Sequence, residues 1–216
     1  MTGLFFSFDG IDGVGKSTQM ELFCDWLREN GHDVVQCRDP GGTQLGETLR
    51  EIILHQHDMP VCPASEMLLY MASRAQLVDE VIRPALAAGK TIVSDRFLVS
   101  NVAYQGHAGG VDVDAVWAVG AVATDGVRPD LTLLLDMPVE QAAARLNRDL
   151  DRMESRGAEF LNRVREGFLI EANKAADRIA MIDATRDIES IQADIRVVAG
   201  RAIDRRVGGS GDQPTT

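Results

Sequence analysis

Leu4-Phe5-Phe6-Ser7-Phe8-Asp9-Gly10-Ile11-Asp12-Gly13-Val14-Gly15-Lys16-Ser17 is the stretch on which the reading of this chain turns. Its first half is a short, aromatic-rich apolar run, the pattern of a strand buried on both faces. Its second half, Gly10 to Ser17, matches G-x-x-x-x-G-K-[ST] at every fixed position. From Lys16 to Asn30 the residues Met20, Leu22, Phe23 and Leu27 recur at helical spacing, and Asn30-Gly31 supplies the stop. A strand, a glycine loop and a helix in that order form a phosphate cradle. The glycines let successive N–H groups turn inward around an oxyanion, and the helix N-terminus adds its positive end. The reading places Gly10, Ile11, Asp12, Gly13, Val14, Gly15, Lys16, Ser17 and Thr18 around the phosphates of a nucleoside triphosphate. Lys16 would reach the β- and γ-phosphates, and the Ser17 hydroxyl would ligate Mg²⁺.

Further along, Asp33 to Arg38, Thr91 to Asp95, Leu131 to Asp136 and Ile179 to Asp183 read as four more strands. Helices are expected over about Gln44–His55 and Ala64–Ile82, with Pro84 opening a short final turn. Strands separated by helices imply βαβ crossovers and a parallel sheet covered on both faces. The expected class is therefore α/β, a P-loop NTPase-type three-layer fold with a parallel five-stranded sheet. Ligands should gather at the carboxyl ends of its strands, where three of them end in Asp9, Asp95 and Asp136. Residues 1–206 read as one domain. Arg145 to Arg165 holds six arginines with few apolar residues before Phe160, and reads as a mobile charged connection with a short Arg-rich lid at about 145–158. Residues 207–216, Gly- and Ser-rich, read as a disordered tail.

Composition narrows the partners. The 216 residues hold 22 Lys+Arg and 33 Asp+Glu, a formal net charge of −11, which argues against nucleic acid or an anionic membrane as a partner. Only Lys16, Lys90 and Lys174 are lysines; the other cations are arginines, whose planar fork suits phosphate. Cys24, Cys37 and Cys62 show no metal spacing, and their odd number argues against full disulfide pairing, so a reducing, cytoplasmic setting is expected. No stretch approaches a membrane span.

A GTPase switch would need N-K-x-D after a strand, and Asn173-Lys174-Ala175-Ala176-Asp177 has the wrong spacing inside a helical pattern. A partitioning-type ATPase would carry a second lysine early in the loop, where Ile11 and Asp12 stand. Several further motifs occur in order: Phe8-Asp9-Gly10, Arg38-Asp39-Pro40-Gly41-Gly42-Thr43, Leu68-Leu69-Tyr70-Met71-Ala72-Ser73-Arg74, Asp95-Arg96-Phe97, Ser100-Asn101-Val102-Ala103-Tyr104-Gln105-Gly106, Pro129-Asp130-Leu131-Thr132 and Asp151-Arg152-Met153-Glu154. With these the chain resembles the thymidylate kinases, which phosphorylate dTMP to dTDP with MgATP, from Phe6 to about Ile195. The alternatives are a kinase for another nucleotide or deoxynucleoside, and a non-catalytic nucleotide-binding module.

The resemblance implies roles. Arg96 would hold the acceptor's 5′-phosphate, Asp95 would organise Mg²⁺ and its waters, and Asp9 would contact the deoxyribose 3′-hydroxyl. Tyr70 would stack on thymine and Arg74 would donate to its O4, the two lying i and i+4 on one helical face. Ser100, Asn101, Tyr104 and Gln105 would complete the pocket, Tyr104 barring a ribose 2′-hydroxyl. Arg38 would lie beside the acceptor phosphate, next to Asp39, where the family usually has glutamate and whose role the shorter arm leaves open. The loop holds no arginine, so catalytic charge would come from Lys16, Arg96 and the lid: Arg148 and Arg152 are the candidates, with Arg145 and Arg156 nearby. ATP as donor, Mg²⁺ and a homodimer are also implied. A phosphate acceptor is already anionic near neutral pH, so no general base is required and positioning with charge neutralisation suffices.

Overall fold

The computed structural model describes residues 3–56, 59–146 and 151–208. Among them β1 (Phe5–Asp9), β2 (Val34–Arg38), β3 (Thr91–Asp95), β4 (Leu131–Asp136) and β5 (Ile179–Asp183) form one sheet in the order β2-β3-β1-β4-β5. Every neighbouring pair is parallel. Parallel neighbours need crossovers, and the helices supply them. They are α1 (Lys16–Glu29) after β1; α2 (Gln44–His55), α3 (Pro63–Leu77) and α4 (Arg83–Ala87) after β2; α5 (Leu98–Asn101) and α6 (Val113–Thr124) after β3; α7 (Val139–Arg145) and α8 (Ala158–Lys174) after β4; and α9 (Ile188–Gly208) after β5.

Alternation along β1 decides what covers each face. Phe6 and Phe8 pack on Phe23 of α1, the rings 5.2 and 5.6 Å apart, while Phe5 meets Phe97 edge-on at 5.0 Å among Met67, Leu77 and Ile92. Both faces are buried, so before its terminal Asp9 β1 carries no polar side chain except Ser7, whose hydroxyl bonds that of Thr132. Register then places the chemistry: Phe8 pairs with Asp95 on one side of β1, Asp9 with Leu134 on the other, and Arg38 of β2 with Asp95. Asp9, Arg38 and Asp95 thus reach the same sheet edge.

Two π-helical turns were not foreseen. Val78–Ile82 continues α3 into α4, with Pro84 standing directly after the π-helical turn. Val102–Ala108 follows α5 and carries Tyr104 and Gln105. Arg145 to Arg165, expected as a charged connection, becomes core from Ala158. Phe160, Val164 and Phe168 form a buried i, i+4, i+8 stripe on α8, and Met153 ahead of it is buried too. Charged residues on the outer face hide that stripe from a composition reading. Asp136, one of the three strand-end aspartates, is taken by Arg165, whose Nε and Nη2 donate to it at 2.7 and 2.8 Å. Helix α9 runs to Gly208, two residues into the stretch read as a tail; 209–216 lie outside the described residues.

Phe23 has no exposed surface and joins α1 to β1. Phe23→Ala is expected to cost about 3–5 kcal/mol in urea-denaturation experiments, and a loss below about 1 kcal/mol would contradict this packing.

Candidate active site

The loop from Gly10 to Gly15 is shaped by close backbone approaches. A Cβ on Gly10 would fall 2.4 Å from the Leu135 carbonyl oxygen, and one on Gly13 would fall 2.2 Å from that of Ala142; both residues have positive φ. No acidic residue stands in the first turn of α1, so its positive end is not neutralised from within the helix. Ser17 and Thr18 are exposed there. Lys16 is buried, and its Nζ donates to the carbonyls of Gly10 (3.1 Å) and Ile11 (2.8 Å) and to Asp12 Oδ1 (3.3 Å).

Arg96 arrives at the same oxygen from the end of β3. Its φ is 68°, a left-handed conformation that an arginine pays for in strain, held by Arg96 N donating to the Phe8 carbonyl and Ser94 Oγ donating to the Arg96 carbonyl. The guanidinium donates to the Gly10 carbonyl and Asp12 Oδ1, both at 2.7 Å, and to Ser100 Oγ at 3.2 Å, and lies 5.3 Å over the Tyr104 ring. Burial raises the pKa of Asp12, but the charges of Arg96 and Lys16 overcome it and hold the carboxyl well below the usual carboxylate range. Burial and the nearby Arg96 pull the Lys16 ammonium below its ordinary value. Burial works against the Arg96 charge as well, yet Asp12, Tyr104 and Asp95 push it well above its ordinary value.

Beside this pair lies a cleft lined by residues from α2, α3 and the α5 region. Asp9 Oδ1 accepts from Ser100 Oγ at 2.5 Å and from Phe97 N at 3.4 Å, while its buried Oδ2 has no partner. Burial raises the Asp9 carboxyl above its ordinary range despite Ser100 and Arg96. Arg74 is buried, its Nε donating to Asp39 Oδ2 at 2.5 Å and its guanidinium lying 5.2 Å over Phe97. Asp39, whose role the sequence leaves open, is therefore the residue that aims Arg74. Tyr70, one turn before Arg74, lines the same cleft with Ser100, Asn101, Tyr104 and Gln105. Arg38 lines it too but is half-exposed and pairs with Glu47 of α2.

One cleft residue and one buried residue behind the cleft wall were missed. Arg50, half-buried on α2, donates to the Pro40 carbonyl at 2.8 Å, and nothing in its spacing announces it. Glu66, 1% exposed on α3, accepts from Gln105 Nε2, Arg152 Nη2 and Arg156 Nη2. It stands one turn before Tyr70 and two before Arg74, a spacing that could have flagged it. Arg152 and Arg156 are thus tied to α3, and Arg145 Nη1 reaches the Ala184 carbonyl at 3.4 Å. Arg148 lies outside the described residues.

The donors fit a hard cation held mainly by others. Asp95 Oδ1 is buried without a partner at the end of β3, and the Ser17 hydroxyl stands exposed at the loop's end. Among the described residues no group of three or more His, Cys, Asp or Glu side chains is set to hold an ion. A cation here would take most of its ligands from phosphate oxygens and water, as Mg²⁺ does and as a structural zinc does not.

Comparison with known proteins gives one answer. The family model described as thymidylate kinase matches residues 8–195. A thymidylate kinase of Kosmotoga olearia is 46% identical over 194 residues, covering 89% of this chain and 93% of that protein. One of Clavibacter michiganensis is 46% identical over 204 residues, covering 92% and 95%. The crystal structure of thymidylate kinase from Ehrlichia chaffeensis superposes with a TM-score of 0.76 at 30% identity, covering 92% of this chain and 99% of that one.

The cleft's ion pairs should differ sharply in worth. Asp39→Ala leaves Arg74 buried and unpaired and should cost about 3–5 kcal/mol, whereas Glu47→Ala, which breaks an exposed pair, should cost about 0–1 kcal/mol. Equal losses in thermal or urea unfolding would contradict the assigned burial.

Proposed function

The chain belongs to the thymidylate kinase family, and on that premise we propose how its own residues carry the transfer of the γ-phosphoryl group of ATP to dTMP, giving dTDP and ADP on the way to dTTP. The activity is that of a nucleoside monophosphate kinase, a phosphotransferase with a phosphate acceptor. The observation that carries the assignment of roles is the meeting of Lys16 and Arg96 on one oxygen of Asp12, at the sheet edge where β1 and β3 end.

Lys16, with the N–H groups of Gly10 to Thr18, takes the donor's β- and γ-phosphates. Arg96 takes the acceptor phosphate, and Asp12 sets the spacing between the two cations. Because the acceptor oxygen is already anionic, no residue need remove a proton, and the barrier falls through alignment and charge neutralisation. Asp9 offers its unpartnered Oδ2 to the 3′-hydroxyl, and Tyr104 closes the space a 2′-hydroxyl would need. Tyr70 stacks on thymine and Arg74, aimed by Asp39, donates to its O4, while Ser100 and Asn101 line the remaining wall. Ser17 and Asp95 would hold Mg²⁺, which when bound neutralises charge on the donor's phosphates. Residues of about 145–158 act as a lid on a single domain that ends with α9; Arg148 and Arg152 are its catalytic candidates, and closure would exclude water. Arg38 steadies the acceptor side.

We also place the protein in the cytoplasm as a homodimer. All three cysteines are free, no helix among the described residues is long and apolar enough to cross a membrane, and α6 leaves Val122 81% exposed. Sedimentation velocity distinguishes dimer from monomer.

A steady-state panel of dTMP, dUMP, dCMP, dAMP, dGMP and thymidine tests the acceptor. The highest kcat/KM should belong to dTMP, and another acceptor in first place would overturn the assignment. Arg96→Ala should lower kcat/KM for dTMP by about a thousandfold while leaving the ATP Kd within about threefold; near-normal turnover would remove Arg96 from the acceptor phosphate.

A further inference from the structure

The phosphate loop rests on two carbonyls of a single segment. Cβ atoms placed on Gly10 and Gly13 would fall 2.4 Å from the Leu135 oxygen and 2.2 Å from the Ala142 oxygen, so the loop lies hard against both ends of Leu135 to Ala142. Any shift of that segment is a shift of the loop's floor. The sheet holds the segment from one side only, because the pairing of β1 with β4 ends at Asp9 and Leu134, where the loop leaves the sheet. On the β5 side Leu135 pairs with Ile182 and Asp136 with Asp183, and the Ala184 N–H donates to the Asp136 carbonyl at 2.9 Å.

A further hold on the segment comes from α8. Arg165 donates through Nε and Nη2 to Asp136 Oδ1 and Oδ2 at 2.7 and 2.8 Å, two parallel bonds between one guanidinium and one carboxylate. The helix delivers that guanidinium from a fixed place, since Phe160, Val164 and Phe168 are buried in the core. At the far end of the segment, α7 closes with Arg145, whose Nη1 donates to the Ala184 carbonyl at 3.4 Å. Asp136 and Arg165 are 25% and 31% exposed, so their attraction adds little to stability. Their geometry counts for more: a fork on a carboxylate fixes orientation as well as distance, which a lysine's single point charge would not. Neither residue lines the acceptor cleft.

We propose that Asp136 and Arg165 are positioning residues for the donor: their paired bonds clamp the segment on which the phosphate loop rests, and so set the affinity for ATP without touching it. This rests on the reading of Gly10 to Thr18 as the ATP phosphate cradle and deepens it. Several backbone N–H groups must converge on one polyphosphate, and hydrogen bonds weaken steeply as distance and angle depart from their optimum. A small displacement of the floor therefore weakens many bonds together. The acceptor side should feel less of it. Arg96 meets the loop at the Gly10 carbonyl, yet it is carried by β3, and Tyr70 and Arg74 are carried by α3.

Arg165→Gln and Asp136→Asn each remove the charge from one side of the pair. In both, the calorimetric Kd and the KM for ATP should rise about tenfold, while the KM for dTMP stays within about threefold. The thermal unfolding midpoint should fall by less than about 4 °C. The double variant should bind ATP within about twofold of the weaker single one, because the segment can be released only once. Arg165→Lys keeps the charge and loses the fork; it should match Arg165→Gln, and it decides the matter if circular dichroism shows that variant unfolded. A purely structural role would weaken ATP and dTMP binding in proportion, or neither. ATP affinity preserved within about twofold in a folded Arg165 variant, or losses that add in the double variant, overturns the clamp. A wild-type enzyme that binds ATP yet transfers nothing to dTMP would overturn the function instead, and the ATP Kd values would still decide the clamp.

Discussion

Asp12 is the constraint on which the site depends. Lys16 Nζ and Arg96 Nη2 lie 3.3 and 2.7 Å from the same carboxylate oxygen, which places the two charges no more than about 6 Å apart. At an effective dielectric of about 20, two unit charges that close repel by about 3 kcal/mol. A carboxylate between them offsets that repulsion and fixes their separation before any phosphate arrives. The same device recurs across the cleft: Asp39 holds Arg74, Glu66 holds Arg152 and Arg156, and Glu47 holds Arg38. An overall charge of −11 is thus compatible with a site for polyphosphates, because part of the acidic excess is spent on placing the cations.

The sheet turns this local chemistry into geometry. With β1 between β3 and β4, the Asp9 end of one strand lies beside the Asp95–Arg96 end of the next, and the strained left-handed backbone at Arg96 turns its side chain back over the loop. The π-helical turn at Val102–Ala108 does the corresponding work across the cleft, carrying Tyr104 and Gln105 into the wall that α3 faces with Tyr70 and Arg74. The two meet at Arg96, whose guanidinium bonds Asp12 Oδ1 and lies over the Tyr104 ring.

Much of this was legible in the sequence. Strands buried on both faces are nearly continuous apolar runs, so β3 and β4 were read to the residue, as was the partly exposed β5, and the loop's spacing together with its strand and helix announced the phosphate cradle. What stayed hidden were partners distant in sequence. That Asp39 faces Arg74, or that Glu66 gathers Arg152, Arg156 and Gln105, depends on tertiary packing that no local pattern encodes. The stripe Phe160, Val164 and Phe168 was present in the spacing, yet the charges between its members drew the reading toward a solvated segment. Resemblance to a family supplied the base-side roles of Tyr70 and Arg74, which spacing alone would have left as core and surface.

The most direct test of the account is a ³¹P NMR spectrum of the protein incubated with ATP, Mg²⁺ and dTMP. The account predicts that the dTMP resonance gives way to the two coupled resonances of dTDP, in one-to-one proportion with ADP and without accumulation of inorganic phosphate. Inorganic phosphate formed alongside ADP while dTMP remains unchanged would contradict it.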